Sequence, residues 1–241
     1  MLLRLNSTYH ITLFALSSPQ THRGYLLQIG VRCVQVVYGG PGSAKTPTIN
    51  TAPRPVLMAV EPGMLSMRNS DVPTWLAPTW KQIKEFLDWA LGSNEMRNFD
   101  TLGIDSVSQI CEIYLRDNPN KAAHGLKLYG DMATNVGDYL HRLYYMQQKH
   151  MYLICKQETE YIEGSGARYR PYFPGNDLKV KVPHLYDFIL QLGIFAVPGV
   201  GNTLAFQCHS SFDSVCRNRT GNLAQFEPPD LSALFNKAMT Q

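Results

Sequence analysis

The sequence predicts an α/β layered domain whose strands are largely parallel. Short apolar segments alternate with stretches of helical periodicity, the order that builds strand–helix–strand units. Several of those segments are nearly unbroken apolar runs, as strands covered on both faces must be. The first of them runs into a glycine-rich turn, VVYGGPGSAKT, and such turns open nucleotide-binding α/β domains.

The expected strands are 31–38 (VRCVQVVY), 56–60 (VLMAV), 101–105 (TLGID), 151–156 (MYLICK), 188–192 (FILQL) and 203–208 (TLAFQC). The clearest helix is 79–91, where Ile83, Phe86, Leu87, Ala90 and Leu91 share one face. Thr79 and Gln82 follow Pro78 as a capping box, and Gly92 is the expected stop. A second helix is expected over 106–116. A third is expected over 131–147, with Val136, Leu140 and Leu143 on one stripe. Residues 159–176 read as a long hairpin or flexible loop around EGSGA. No internal repeat or low-complexity tract interrupts this order.

At 241 residues the chain suits one large domain or two small ones. Its 44% hydrophobic and 17% charged content gives a packed core rather than long disorder. A net charge of +3 neither demands nor excludes nucleic acid. The five cysteines (Cys33, Cys111, Cys155, Cys208, Cys216) form no CxxC pair. An odd, scattered set points to reduced thiols in a cytoplasmic compartment, with Cys33 and Cys155 as small core residues. The histidines show no metal-ligand spacing. No run approaches the roughly 18 apolar residues of a membrane span, so no membrane partner is expected. The start, MLLRLNSTYHITLFALSSP, resembles a signal peptide only faintly, because Asn6, Tyr9 and His10 break its apolar run. Residues 1–30 are expected as a divergent or poorly ordered extension, with the domain over 31–241. The sequons at Asn6 and Asn218 then read as chance matches.

The turn reads Gly39-Gly40-Pro41-Gly42-Ser43-Ala44-Lys45-Thr46, which meets seven of the eight positions of the phosphate-loop pattern G-x-x-x-x-G-K-[ST]. Such a loop aims backbone N–H groups at phosphate, which only small residues permit. Lys45 would reach the β- and γ-phosphates of ATP, and the Thr46 hydroxyl would bind Mg²⁺. Two residues depart from the usual pattern. Ala44 puts a methyl where glycine is usual, allowed if its dihedrals are helical. Pro47 biases Thr46 away from the helical region, although its missing N–H is harmless in a first helical turn. A merely structural glycine turn is the alternative reading.

Asp105 ends an apolar run and is placed to hold the Mg²⁺ shell; a helix-capping aspartate is the other reading, and both roles can coexist. Glu61 ends a second strand as a candidate for orienting the attacking water, or as a solvated surface residue. Gln157 follows a third strand as a candidate γ-phosphate sensor or a surface residue.

The order of YGGPGSAKT, APRPVLMAVEPGMLSMRNSDVP, FDTLGIDSVSQI, RPYFPGNDLKVKVPHLYDFILQLG and RTGNLAQFEPPDLSALF resembles the RecA-like phage nucleotide-binding ATPases, the group with the Sak-type recombination ATPases. The likeness runs from about residue 34 to residue 236. It implies a RecA-like P-loop NTPase core, a mostly parallel central sheet with helices on both faces. It also implies ATP and Mg²⁺ at the carboxyl ends of the strands. Lys45 and Thr46 would then hold phosphate and metal, Asp105 would be the second metal acid, Glu61 the water-orienting glutamate and Gln157 the coupling residue. Arg217 and Arg219, in CRNRTG, would reach the γ-phosphate of a neighbouring subunit, which implies a homo-oligomer, a ring or filament. The other reading is two solvated surface arginines.

The stretch EYIEGSGARYRPYFPG mixes Arg168, Tyr169, Arg170 and Tyr172 around a glycine tip, a composition suited to single-stranded DNA. Lys179 and Lys181 would extend a basic stripe. An ordinary hairpin packing its aromatics on the sheet is the alternative. The function expected from the resemblance is a phage ATPase of DNA recombination, repair or replication in the host cytoplasm. It would bind single-stranded DNA and could meet a phage single-strand-binding protein. The rival is a nucleotide-sensing or strand-annealing protein with little turnover, which Ala44 and Pro47 favour; a structural protein with a relic loop is the third reading.

Overall fold

A computed structural model describes residues 32–61, 64–119, 125–146, 148–164 and 166–240. The expected extension 1–30, with its signal-like start and the sequon at Asn6, lies outside the described residues. In chain order the strands are β1 (Val34–Gly39), β2 (Pro55–Ala59), β3 (Thr74–Leu76), β4 (Thr101–Asp105), β5 (His150–Ile162), β6 (Gly166–Pro171), β7 (Phe188–Val197), β8 (Gly201–Gln207), β9 (Arg217–Asn218) and β10 (Phe226–Glu227). The helices are α1 (Trp80–Gly92), α2 (Val107–Asp117), α3 (Gly125–Tyr144), α4 (Asp177–Leu185) and α5 (Leu231–Met239), with short 3₁₀ helices at Pro47–Thr51, Met64–Met67 and Asn94–Asn98.

β3, β2, β4, β5, β1 and β7 lie side by side in that order, every pair parallel. β8 and then β10 extend the sheet antiparallel beyond β7. β9 pairs with the start of β7, and β6 folds back on the far half of β5. This is the mostly parallel central sheet with helices on both faces that the resemblance implies. The strand that leads into the glycine loop and the strand that ends in Asp105 are separated by one strand, β5.

Period-2 alternation divides the central strands between two cores. Val34, Val36 and Tyr38 of β1 pack with residues of α1, α2, α3 and α4 on one face. Cys33, Val37, Tyr152 and Phe188 pack with Leu231, Leu234 and Phe235 of α5 and with Ile49 on the other. Each buried side chain of this size contributes about 1.5–3 kcal/mol relative to exposure, so these strands anchor the fold. All five cysteines are free and buried.

The parallel register aligns the carboxyl ends. Gly39 lies beside Lys156, Asp105 beside Ile154, and Ala59 beside Asp105. Loops leaving β1, β2, β4 and β5 therefore emerge at one edge, which is where a site can assemble.

Several boundaries differ from expectation. The third helix starts at Gly125, not 131; Gly125, Gly130 and Gly137 lower its local propensity. Gly137 is where α4 comes close, since a Cβ there would meet Leu178 Cδ2 at 3.4 Å. Gly92 ends α1 as expected, as its last helical residue, and Ser93 turns extended while its N–H bonds Trp89 O. The residues after the glycine loop form a short 3₁₀ helix, Pro47–Thr51. The segment 159–176 is a hairpin, because β5 continues to Ile162 and pairs with β6. The stretch carrying Lys179 and Lys181 is helical, and Lys179 is paired with Glu158 and Lys181 with Asp177, so no free basic stripe forms there.

The seam between β1 and β7 is close. A Cβ on Gly39 would lie 2.2 Å from Leu192 O and 2.7 Å from Ser43 Oγ, whereas one on Gly40 would meet nothing within 4 Å. Gly39→Ala is expected to destabilise the protein by about 2–3 kcal/mol through overpacking against backbone. Gly40→Ala is expected to stay within about 0.5 kcal/mol of the parent. Matching urea midpoints for the two variants would contradict this seam.

Candidate nucleotide site

The glycine loop leaves β1 at Gly39 and closes on itself before the 3₁₀ helix. Ser43 N and Ser43 Oγ both donate to Gly40 O, at 3.3 and 2.8 Å. Thr48 secures the far side, its N–H and hydroxyl donating to Ala44 O at 3.2 and 2.7 Å. Gly42 has φ +75°, as glycine readily does. Ala44 does not meet the helical condition under which its methyl is freely allowed: its φ is +60°, in the left-handed region, which costs a residue with a Cβ about 1–2 kcal/mol. The bias that Pro47 places on Thr46 is overridden, for Thr46 has φ −61° and ψ −54°. Pro47 itself opens the 3₁₀ helix, where its missing N–H leaves no bond unmade.

Lys45 folds back over the loop. Its ammonium donates to Gly39 O and Gly40 O, each at 2.8 Å, and to Ser43 Oγ at 3.2 Å. Burial lowers its pKa, opposed by the nearby Asp105 and Glu61. The hydroxyl of Thr46 donates to Asp105 Oδ2 at 2.5 Å. Burial raises the pKa of Asp105; the Thr46 hydrogen bond opposes this, Glu61 adds to it and Lys45 opposes it. Glu61 comes alongside because Val60 N donates to Asp105 O at 2.8 Å, continuing the β2–β4 ladder. Its Oε1 accepts from Ser106 Oγ at 2.6 Å. Gln157 Oε1 accepts from Gln191 Nε2 at 3.1 Å.

Lys45, Thr46, Glu61, Asp105 and Gln157 all line one cleft of about 670 Å³. A second cavity of about 880 Å³ shares the loop from Gly40 to Ala44 and opens towards β7 and β8, lined by Gln191, Leu192, Phe195, Asn202 and Thr203. A hydroxyl and a carboxylate oxygen in contact are hard donors of the kind Mg²⁺ takes, so Thr46 and Asp105 fit that ion.

The other expected residues lie elsewhere. β9 pairs with Phe188 and Ile189, at the amino end of β7, opposite to the cleft. There Arg217 donates to Pro183 O at 2.6 Å, and Arg219 holds Asp187 and His184 O at 2.8 and 2.7 Å. The structure thus does not bring either arginine to this chain's own cleft. In the hairpin, alternation splits the expected set. Arg168 and Arg170 sit across from Glu160 and Glu158, and Arg170 is paired with both glutamates. Tyr169 points the other way, lining the second cavity with Gln157. Tyr172 lies beyond β6, its N–H on Lys156 O and its carbonyl accepting from Ser108 Oγ. The four residues do not form one continuous basic and aromatic surface.

Sequence reading missed Ser106, Lys156 and Gln191. Ser106 had a signal, a serine just before an apolar helix. Lys156 lines the cleft but is held by Gln109 and Glu112, and Gln191 is buried beside Gln157. Only strand pairing reveals those two.

A parallel sheet, a glycine loop with lysine and threonine at its end, and an acid on the next strand but one define a P-loop ATPase domain. The chain belongs to the AAA domain family, whose model matches residues 32–220. Among solved structures it is similar to a KaiC-like protein from the hyperthermophilic archaeon Pyrococcus horikoshii OT3. The TM-score is 0.40 with 10% sequence identity, covering 72% of this chain and 76% of that one. No curated protein matches it in sequence. Among the described residues no helix is long and apolar enough to cross a membrane.

Ala44→Gly is expected to stabilise the nucleotide-free protein by about 0.5–1 kcal/mol, since relief of the left-handed strain exceeds the entropy glycine adds to the unfolded chain. Chemical unfolding measures this, and a lower midpoint for the variant would contradict the strain.

Proposed function

We propose that the chain is a Mg²⁺-dependent ATPase, with the triphosphate in the first cleft and the nucleoside in the second. The observation that carries this is the convergence of Lys45, Thr46, Asp105 and Glu61 on one cleft, with Thr46 and Asp105 in direct contact. Lys45 already places its ammonium among three oxygen acceptors of the loop, and phosphate oxygens would replace them. Thr46 and Asp105 would hold Mg²⁺, which neutralises phosphate charge when bound. Glu61 is the carboxylate that orients water and accepts its proton. Gln157 lies at the boundary of both cavities, where a γ-phosphate contact would be felt by Gln191. The second cavity combines apolar side chains with amide and hydroxyl groups, the lining that a base and ribose require. Phe195, packed on Phe226 at 5.3 Å, supplies its aromatic surface.

Wild type should release phosphate from ATP, and Lys45→Ala should reduce the rate about 100-fold or more. Phe195→Ala should weaken ATP binding roughly tenfold and leave binding of inorganic tripolyphosphate unchanged. Turnover that survives Lys45→Ala would refute the enzyme. Equal loss of both ligands in Phe195→Ala would refute the nucleoside position. The rival, a nucleotide-binding protein with little turnover, is favoured by the strained Ala44 and the short helix after the loop; calorimetric binding of Mg·ATP without phosphate release would select it.

The proposal extends to single-stranded DNA at the β5–β6 hairpin, which continues the strand of Gln157. Its contact would be Tyr161, 83% exposed, rather than Arg170 with its glutamate partners. Tyr161→Ala should lower single-strand affinity by about 1–3 kcal/mol if its ring stacks on a base. Unchanged affinity in fluorescence anisotropy would remove the hairpin from the DNA surface.

A further inference from the structure

We infer that Ser106 is a positioning residue for the attacking water, acting through Glu61; this rests on the reading of Glu61 given above. Ser106 is 1% exposed and begins α2 as its N-cap. Its Oγ makes two hydrogen bonds of opposite sense. It accepts from Gln109 N at 3.2 Å and donates to Glu61 Oε1 at 2.6 Å.

A serine hydroxyl has one proton and two lone pairs. The helix N-terminus uses a lone pair, so the cap fixes the oxygen and leaves the proton for the carboxylate. The bond is short, as charge-assisted hydrogen bonds are. Among the described residues no donor reaches Glu61 Oε2, and Glu61 lines the phosphate cleft. One carboxylate oxygen is therefore tethered and the other is free for water.

The tether also links two strands. Glu61 follows β2, whereas Ser106 follows β4, directly after Asp105. Neighbouring residues of one chain segment thus serve separate tasks: Asp105 meets the Thr46 hydroxyl, and Ser106 aims the carboxylate of Glu61. Capping alone would leave the proton of this buried hydroxyl without an acceptor, and the acceptor it has is the carboxylate of Glu61. Glu61 without its tether would sample rotamers in which neither oxygen is aligned, and misplacement of this kind lowers kcat with little effect on nucleotide affinity.

The test compares Ser106→Gly with Ser106→Thr. Glycine keeps most of the capping free energy, to within a few tenths of a kcal/mol, but cannot donate to Glu61; threonine keeps the hydroxyl. Ser106→Gly is expected to lower kcat roughly tenfold to a hundredfold, with the Kd of Mg·ATP within about twofold of wild type, and Ser106→Thr should recover turnover relative to glycine. In a Glu61→Ala background, Ser106→Gly should lower kcat no further. Independently of turnover, the unfolding free energies of Ser106→Ala, Glu61→Ala and the double variant should be non-additive. Wild-type kcat in Ser106→Gly while Glu61→Ala is inactive would overturn the inference alone. Wild-type turnover in Glu61→Ala would overturn the role of Glu61 and the inference with it. Additive unfolding energies, or a loss confined to nucleotide affinity, would also overturn it.

Discussion

The site depends on one contact, the hydroxyl of Thr46 on the carboxylate of Asp105 at 2.5 Å. It ties the end of the glycine loop to a strand that is not its neighbour in the sheet. Between them lies β5, whose Tyr152 hydroxyl donates to Lys45 O at 2.7 Å from beneath the loop. Loop, intervening strand and acid are thereby held at one height above the sheet. The parallel register makes this possible, because it brings the carboxyl ends of β1, β5, β4 and β2 to the same edge.

Around that contact the charges balance locally. Buried Asp105 is costly when ionised, and the Thr46 proton with the nearby Lys45 ammonium reduces that cost. Lys45, itself penalised by burial, is surrounded by carbonyl oxygens of its own loop. Removing one partner leaves another largely buried polar group unpaired, which is costlier than the bond itself is worth. The loop, its lysine and the acid are thus coupled groups, and the left-handed Ala44 is held among them by the two Thr48 hydrogen bonds.

Much of this was legible along the chain. The apolar runs gave the core strands because burial on both faces leaves no polar positions to alternate with. The loop gave the phosphate chemistry because its small residues, lysine and threonine are contiguous. Asp105 and Glu61 were recognisable as strand-end acids. Shorter elements were not. β3, β9 and β10 have too few residues for a period to show, and the glycines of α3 disguised its first turns. α5 was readable in principle, from Asp230 at its cap and the stripe of Leu231, Leu234, Phe235 and Ala238. In the hairpin, composition misled: adjacent Arg168, Tyr169 and Arg170 look like one patch in sequence, but the pleat sends them to opposite faces.

By itself, then, the sequence determined which chemical groups exist and which are joined through a few covalent bonds: the glycine loop, its lysine and threonine, and an acid beside a serine. Tertiary structure alone decided which of them meet. The Ser106–Glu61 and Gln157–Gln191 bonds, and the placement of Arg217 and Arg219 away from the cleft, come from strand order and register. Those are set by burial of whole strand faces across the sheet, a non-local quantity that no short segment encodes.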